Sequence, residues 1–256
     1  NDIAREKGSS RVVVREHHSW EGLSSGLDGQ ELLVKGRLDK YQVHIPLIGY
    51  HQQVNAAVAV AAVEALIERG ARITGEHIAG GLADVKWPGR FQILRRNPFL
   101  VLDGAHNRDS IEKFMGTLLG QFGLVVPCIC MPGYEFKPRV NTHKVYIICG
   151  MSIDKDIPGI IEELIEWFFC TAAPADFFYF VLTRADHPRA ADPARVWEEF
   201  IKRYWKDRVR VVDKVDEAVS QALDAAAPDG LVAVTGSLFV VGDALAWAEK
   251  HPEALK

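Results

Sequence analysis

The chain has 256 residues, enough for one large domain or two modest ones. Hydrophobic residues make up 48% of it and charged residues 25%, which is typical of a globular protein and excludes the disordered and fibrous classes. The formal net charge of −4 argues against nucleic acid as a partner, because proteins that bind the phosphate backbone are usually strongly basic. We therefore expect a few placed residues to bind any anionic ligand.

The sequence predicts neither a membrane span nor secretion. Its most apolar stretch, residues 54–63, is interrupted by Asn55 and is shorter than the ~18 apolar residues of a membrane-spanning helix. The chain begins with neither Met nor the apolar core of a signal peptide. Its four cysteines are too few for a disulfide scaffold and fit a reducing cytosol, so we expect a cytoplasmic protein. Cys128 and Cys130 lack the second pair of ligands that a zinc site requires, so we expect no metal there.

The first part of the chain predicts a small antiparallel sheet followed by a helix. Apolar runs alternate with Gly and polar turns over residues 1–47, at Arg11–Val14, Glu31–Val34 and Tyr41–Ile45. Residues 50–69 then predict a helix rich in Ala and Val that ends before Gly70. Because so small a sheet is not stable by itself, we expect this part to belong to a larger domain.

From about Trp87 onward, strands alternate with helices. This order predicts a mostly parallel, Rossmann-like α/β sheet with helices on both faces. The predicted strands are 91–95, 99–102, 144–149, 177–182, 209–212 and 231–235, and the predicted helices are 110–122, from about 156, 193–204, 215–226 and 238–250. Residues 123–143 interrupt the order and are interpreted as a surface insertion. Ligands of such sheets bind at the carboxyl ends of the strands, so the chemistry is expected in the loops that follow them.

Three segments place polar residues at strand ends or helix starts. Asp103 and His106 follow a buried strand, where they suit nucleotide contact or proton transfer. The alternative is that Asp103 only accepts loop amides and that Asn107 only caps the helix; capping alone explains Asn107 but not the whole set. Ser237 opens the last helix, whose first amides favour an anion, although a plain N-cap explains it equally well. Arg90 follows a Pro-Gly turn and is either a phosphate ligand or a surface residue on a linker.

Two other segments are less specific. Residues 183–190 follow a strand and either line the same cleft or form an ordinary loop. Asn55 and other polar residues open the Ala-rich helix, whose small side chains would let a flat ligand approach the backbone. Helix capping and core packing explain these polar residues as well.

Taken together, these segments resemble the folylpolyglutamate synthase and dihydrofolate synthase family of the Mur-type ATP-dependent amide ligases. Six motifs follow one another in that family's order: Ile48–Ala57, Trp87–Gln92, Leu102–Asn107, Gly150–Asp156, His187–Ala190 and Thr235–Phe239. No single motif is decisive, but six in order make a specific match from about residue 48 to the end. The resemblance implies two parts: residues 1–86 as the end of the central ATPase domain, and residues 87–256 as the C-terminal glutamate-ligase domain.

The resemblance also implies a reaction and a set of residues. Family members use ATP and Mg²⁺ to phosphorylate a carboxylate of folate or dihydropteroate, and the amine of L-glutamate then displaces the phosphate. By matching positions, Asn55, Arg90 and Asp103 bind ATP, with Asn55 near the adenine. Asp103, His106 and Ser237 correspond to catalytic positions, and Arg90, His106 and Ser237 to positions that hold the glutamate.

One departure from the family pattern qualifies this expectation. The phosphate loop G-x-x-x-x-G-K-[ST] has no counterpart, since Lys7-Gly8-Ser9 has the reverse order. The Mg²⁺ ligands, the folate pocket and a modified Lys belong to the same N-terminal ATPase region in the family. We therefore expect a C-terminal part that is inactive without its N-terminal ATPase region and monomeric at full length.

Two alternative hypotheses remain open. The first is a non-catalytic binding or assembly module that kept the fold and lost the ATPase half. The second is a Rossmann-type oxidoreductase, which is disfavoured because no G-x-G-x-x-G follows the first strand of the α/β region.

Overall fold

The computed structural model describes residues 2–8, 11–124, 144–169, 178–204, 206–226 and 228–255. The chain divides into two compact units, Asn1–Trp87 and Pro88–Lys256. This division falls one residue from the boundary predicted between residues 86 and 87. The interpretation of residues 123–143 as an insertion falls almost wholly outside the described residues, as do Cys128 and Cys130.

The first unit contains an antiparallel sheet of three strands in the order β1-β2-β3. Its elements are α1 (Asp2–Glu6), α2 (Val14–His17), β1 (Ser19–Gly26), β2 (Gly29–Lys35), β3 (Lys40–Ile45), α3 (Tyr50–Ile67) and α4 (Gly75–Ala83). Alternate residues of β2 and β3 are buried and pack against small residues of α3, including Ala56 and Ala57. The predicted helix at 50–69 is thus confirmed as α3, and α4 was not predicted.

The prediction of a strand at Arg11–Val14 is wrong. Residues 11–13 form no regular element and Val14 begins the short helix α2, while the first strand is Ser19–Gly26. The Val-rich run has strand propensity, but the strand that pairs with β2 is the one joined to it by a hairpin. In this hairpin Gly26 faces Gly29, and Gly29 has a φ of 131°. Because β1 is largely exposed and rich in Ser and Gly, its sequence carries no alternating pattern that would predict it.

The second unit contains a sheet of six strands in the order β4-β5-β9-β6-β7-β8. Its elements are β4 (Gln92–Arg96), β5 (Phe99–Leu102), α5 (Arg108–Phe122), β6 (Val145–Cys149), α6 (Ile157–Phe169), β7 (Phe178–Arg184), α7 (Pro193–Ile201), β8 (Val209–Lys214), α8 (Val215–Ala226), β9 (Leu231–Thr235) and α9 (Leu238–Lys250). Among the described strands of this sheet, only β4 runs antiparallel to its neighbour. The predicted α/β fold is confirmed, with element ends shifted by a few residues.

Helices cover both faces of this sheet. One face packs against α8 and α9 in a core that includes Leu102, Ile148, Val234 and Trp247. Alternate strand residues point to the opposite face, where the ring of Phe180 lies 4.9 Å from that of Phe200 in α7. The central strands β6 and β9 are buried along their whole length, so their sequences are almost continuously apolar, with Thr235 at the end of β9 as a polar residue.

This topology brings the carboxyl ends of the parallel strands to one edge of the sheet. Loops leave β5, β6, β7 and β9 at that edge and lead into α5, α6, α7 and α9. Among the described helices, none is both long and apolar enough to span a membrane.

Candidate functional site

Asp103 lies directly after β5 and is 7% exposed. Its Oδ2 accepts the backbone N–H of Phe91 at 2.9 Å, and its Oδ1 accepts that of Ala105 at 2.8 Å. Burial raises the pKa of this carboxyl to about 6, although the two amides and the charges of Arg90 and His106 act in the opposite direction. The carboxylate therefore ionises near neutral pH and joins two segments of backbone.

Arg90 reaches the same strand end through a close approach to Gly104. A β-carbon on Gly104 would lie 3.1 Å from Nη1 of Arg90 and would overlap Cδ2 of Leu238. Gly104 thus leaves room for the guanidinium beside the first residue of α9. Within the described ranges no carboxylate forms an ion pair with Arg90, so its charge is available to an anion.

His106 is held by the same turn. Its Nδ1 lies 2.8 Å from the carbonyl oxygen of Gly104, and because a carbonyl only accepts, Nδ1 carries the proton. In the neutral ring Nε2 then has the free lone pair. Asn107 caps α5 by accepting the N–H of Ser110 at 2.8 Å, as the capping interpretation predicted.

Ser237 caps α9 and lies beside the Asp103 turn. Its Oγ accepts the N–H of Phe239 at 3.2 Å, and the side chain is buried. The preceding Gly236 donates its N–H to the carbonyl of Ala105 at 2.8 Å, which fixes the two strand ends together. The structure therefore brings Arg90, Asp103, His106 and Ser237 to one edge of the second unit. The N-cap interpretation of Ser237 is correct and leaves the other amides of the first turn to an anion.

The chain is similar to several known proteins. The sequence profile of the Mur ligase glutamate ligase domain matches residues 135–238. The dihydrofolate synthase/folylpolyglutamate synthase of Mycobacterium tuberculosis is 30% identical over 98% of this chain and 48% of that protein. That of Escherichia coli is 26% identical over 94% of this chain and 47% of that protein. Among solved structures, the Mycobacterium tuberculosis folylpolyglutamate synthase complexed with ADP superposes with a TM-score of 0.70 at 26% identity, covering 89% of this chain and 47% of that one.

The chain contains a Mur ligase glutamate ligase domain. It corresponds to the C-terminal portion of the folylpolyglutamate and dihydrofolate synthases, as the motif order predicted. It spans about half the length of these relatives, 48% of the Mycobacterium tuberculosis protein.

One predicted site residue, Asn55, belongs to the first unit, whereas the others belong to the second. Asn55 is an exposed residue of α3 in the first unit, and its Nδ2 donates to Oε1 of Gln52 at 2.9 Å. Nearby, Gln53 donates to Oε1 of Gln30 at 2.9 Å, and a β-carbon on Gly22 would lie 3.0 Å from its amide nitrogen. The polar side chains at the start of α3 therefore form hydrogen bonds with one another and with Gln30 of the same unit.

A stack of side chains that the sequence did not assign lies next to the cap of α9. The ring of His187 stacks on that of Phe239 at 3.7 Å, and the guanidinium carbon of Arg189 lies 5.2 Å from the same ring. The loop that carries His187 and Arg189 is tied to the loop after β6, where Ile153 donates to the Arg189 carbonyl at 2.9 Å. In the sequence, the signal for this stack is the motif His187–Ala190, which is equally compatible with an ordinary loop.

Two further features of the second unit concern the ligands that it can bind. In the part of the chain that the structure describes, no three His, Cys, Asp or Glu residues are grouped so that they could hold a metal. An open groove of about 970 Å³ lies between the loop after β7, the end of β8 and α9, and is lined by Arg184, Asp213, Asp243 and Trp247 among others. The edge at Ser237 thus offers cations and N–H donors, which suit a phosphate or a carboxylate.

Proposed function

We propose that this chain is the C-terminal part of an ATP-dependent ligase that adds L-glutamate to a carboxylate of folate or dihydropteroate through an acyl phosphate. The observation that carries the proposal is the meeting of Arg90, His106 and Ser237 at the carboxyl edge of the sheet. Support also comes from the relatives, which are dihydrofolate and folylpolyglutamate synthases, and from the ADP in the related Mycobacterium tuberculosis structure.

Each of these residues has a role that follows from its contacts. Arg90 supplies a positive charge without an ion-pair partner among the described residues, which suits a phosphate of ATP or a carboxylate of glutamate. Ser237 and the first amides of α9 supply donors to the same anion. The nucleotide contacts that the resemblance implies for Asp103 and Asn55 stay predictions.

His106 is the proposed proton acceptor. When the glutamate amine attacks the acyl phosphate, a C–N bond forms, the C–O bond to phosphate breaks, and the nitrogen must lose a proton. With Nδ1 bonded to the carbonyl of Gly104, Nε2 presents its lone pair to that proton. The described residues do not form a metal site, so no step is assigned to Mg²⁺, which we propose is held elsewhere in the complete ligase.

The experiment is a ligation assay on the full-length protein that contains this chain, with ATP, Mg²⁺, L-glutamate and either dihydropteroate or folate. His106→Asn keeps a donor for the Gly104 carbonyl and removes Nε2, so kcat should fall about 10²–10⁴-fold. His251→Asn is the matched control, because His251 Nδ1 likewise lies 2.9 Å from a backbone carbonyl, that of Trp247, but outside this edge. Equal turnover in both variants would contradict the role of His106. Absence of ligation in the full-length protein would favour the alternative, a non-catalytic module.

A further inference from the structure

The carboxylate of Asp103 bonds to backbone on both sides. One oxygen accepts the N–H of Phe91 at 2.9 Å and the other that of Ala105 at 2.8 Å. Phe91 precedes β4 and Ala105 follows β5, so a single side chain joins the entry to this hairpin to its exit. A residue that only contacted a ligand would have no need of two amides from its own chain.

The segment that Asp103 holds has an unusual backbone. Phe91 has a φ of 42° and is 4% exposed, and this left-handed region is sparsely populated for a bulky side chain. Such a conformation persists only where surrounding contacts fix it. The neighbouring contacts are the Gly104 N–H to the Gly89 carbonyl at 2.9 Å and the Gly89 N–H to Oε1 of Gln92 at 2.9 Å.

Arg90 lies between these two fixed points. Gly89 and Phe91 are both bonded to residues of the second unit, so the direction of the Arg90 side chain is set by them. The guanidinium passes so close to Gly104 that a β-carbon there would lie 3.1 Å from Nη1. Because Asp103 fixes Phe91 and the turn through Gly104 at once, it controls both the base of the Arg90 side chain and the surface on which it rests.

We propose that Asp103 is a positioning residue for Arg90: its two carboxylate oxygens hold the Phe91 backbone and the Gly104 turn so that the guanidinium stays at the edge of the sheet. The inference rests on the proposed function only for the identity of the anion that Arg90 meets. It changes the role of Asp103 from a group that acts on the ligand to one that acts through Arg90.

Protonation offers a way to test this role. The charged and titratable groups whose fields act on the Asp103 carboxyl are Arg90 and His106, both of which lower its pKa, while burial raises it to about 6. A protonated carboxyl has a donor on one oxygen, so it can accept only one of the two amides well. The Phe91 amide and the Arg90 side chain should therefore respond together as the pH falls through about 6.

The first measurement needs no ligand. In ¹⁵N-labelled chain, Asp103→Asn should lower the exchange protection of the Phe91 amide and shift the Nε signal of Arg90, assigned with Arg90→Lys. Asp109→Asn, which changes an exposed Asp in the first turn of α5, is the matched control and should leave both signals unchanged. Unchanged signals in Asp103→Asn would overturn the inference.

The second measurement is a double-mutant cycle in the full-length protein that contains this chain, with ATP as the probe. Arg90→Ala and Asp103→Asn should each weaken ATP binding by about tenfold to a hundredfold, and the double variant should bind like Arg90→Ala alone. ATP affinity of the unsubstituted protein should fall as the pH drops through about 6, and it should fall by less in Arg90→Ala, where protonation of the ATP phosphate remains. Additive effects would overturn the inference, because they would mean that Asp103 acts on the nucleotide directly.

The outcomes separate this inference from the proposed function. If the unsubstituted full-length protein binds no ATP, the nucleotide part of the proposed function fails, and the Phe91 and Arg90 signals still decide the role of Asp103. If Asp103→Asn does not fold, a pH titration of the unsubstituted chain replaces it. The Phe91 protection factor and the Arg90 Nε signal should then change with one midpoint, and separate midpoints would overturn the inference.

Discussion

Glu64 shows at the scale of one residue how the first unit keeps a buried charge. The side chain is fully buried in α3 and accepts the N–H groups of Arg37 and Leu38, the hydroxyl of Tyr41 at 3.0 Å, and Nε2 of His18 at 2.7 Å. Burial raises its pKa, but these donors outweigh burial and hold the pKa below the ordinary 4.5. The charge thus ties α3 to the turn between β2 and β3.

Replacing this carboxylate should destabilise the first unit. Glu64→Gln puts an NH₂ group in place of one carboxylate oxygen, and each of these oxygens accepts one backbone N–H, so we expect the free energy of unfolding to fall by about 3 kcal/mol. Amide exchange in β2 and α3 measures this loss. Glu68→Gln, one turn later and with a half-exposed side chain, should change it by less than about 0.5 kcal/mol. Similar effects in the two variants would show that burial of Glu64 contributes nothing.

The same carboxylate sets a pH dependence. Because its folded pKa is lower than its unfolded pKa, the unfolded chain binds the proton more readily. The stabilisation is therefore present above the ordinary pKa of 4.5 and is lost as the pH falls through the folded pKa. In Glu64→Gln this part of the acid destabilisation should be absent from the exchange data.

At the scale of the elements, glycines let the ends of β9 and β6 approach each other. Gly236 has a φ of 93°, and a β-carbon there would lie 2.5 Å from the carbonyl oxygen of Gly150 and 2.7 Å from Sγ of Cys149. Gly150 is equally confined, since its β-carbon would lie 2.6 Å from Cγ2 of Val240. The two strand ends can thus approach α9 closely only because Gly236 and Gly150 have no β-carbon.

Two Gly→Ala variants in this element pair should have opposite effects. Gly236→Ala forces a β-carbon into the Gly150 carbonyl at an unfavourable φ, so we expect a loss of about 2 kcal/mol or more. Gly242→Ala, in the exposed face of α9 with no neighbouring atom within 4 Å, should gain about 0.5–1 kcal/mol from helix propensity. The urea midpoint of the chain reports both changes. A stabilised Gly236→Ala would contradict the packing at this edge.

For the whole molecule, the second unit is the part in which the predicted site residues meet. Arg90, Asp103, His106 and Ser237 are spread over some 150 residues of sequence, and the parallel order of β5, β9 and β6 brings their loops together. The core around Ile148 and Val234 consists of residues from this unit. The second unit therefore has a hydrophobic core of its own, as an independent domain does.

We expect residues 88–256 to fold without the first unit. The shortened chain should give a dispersed ¹H–¹⁵N spectrum whose signals for β6 and β9 coincide with those of the 256-residue chain. A chain containing residues 1–87 alone serves as the comparison, and we expect it to be less stable because its sheet has three strands. A collapsed spectrum for residues 88–256 would contradict the division into two units.

The sequence by itself determined the order of the second unit's elements and the segments that carry its polar residues. Near-continuous apolar runs at 145–149 and 231–234 identify central strands, because residues of a strand buried on both faces are mostly apolar. The order of the motifs also identified the family. The exposed strand Ser19–Gly26 was missed, because a strand with little buried surface carries no hydrophobic period.

Only the tertiary structure decided how the polar residues act. The sequence places Asp103 after a strand, but only the fold shows that its carboxylate accepts the amide of Phe91, 12 positions earlier. Likewise, His187 and Phe239 are far apart in sequence and their rings stack at 3.7 Å. The physical reason is that such contacts join the ends of different strands. Their geometry depends on backbone turns and on glycines without a β-carbon, and a local residue pattern does not predict which distant segments these bring together.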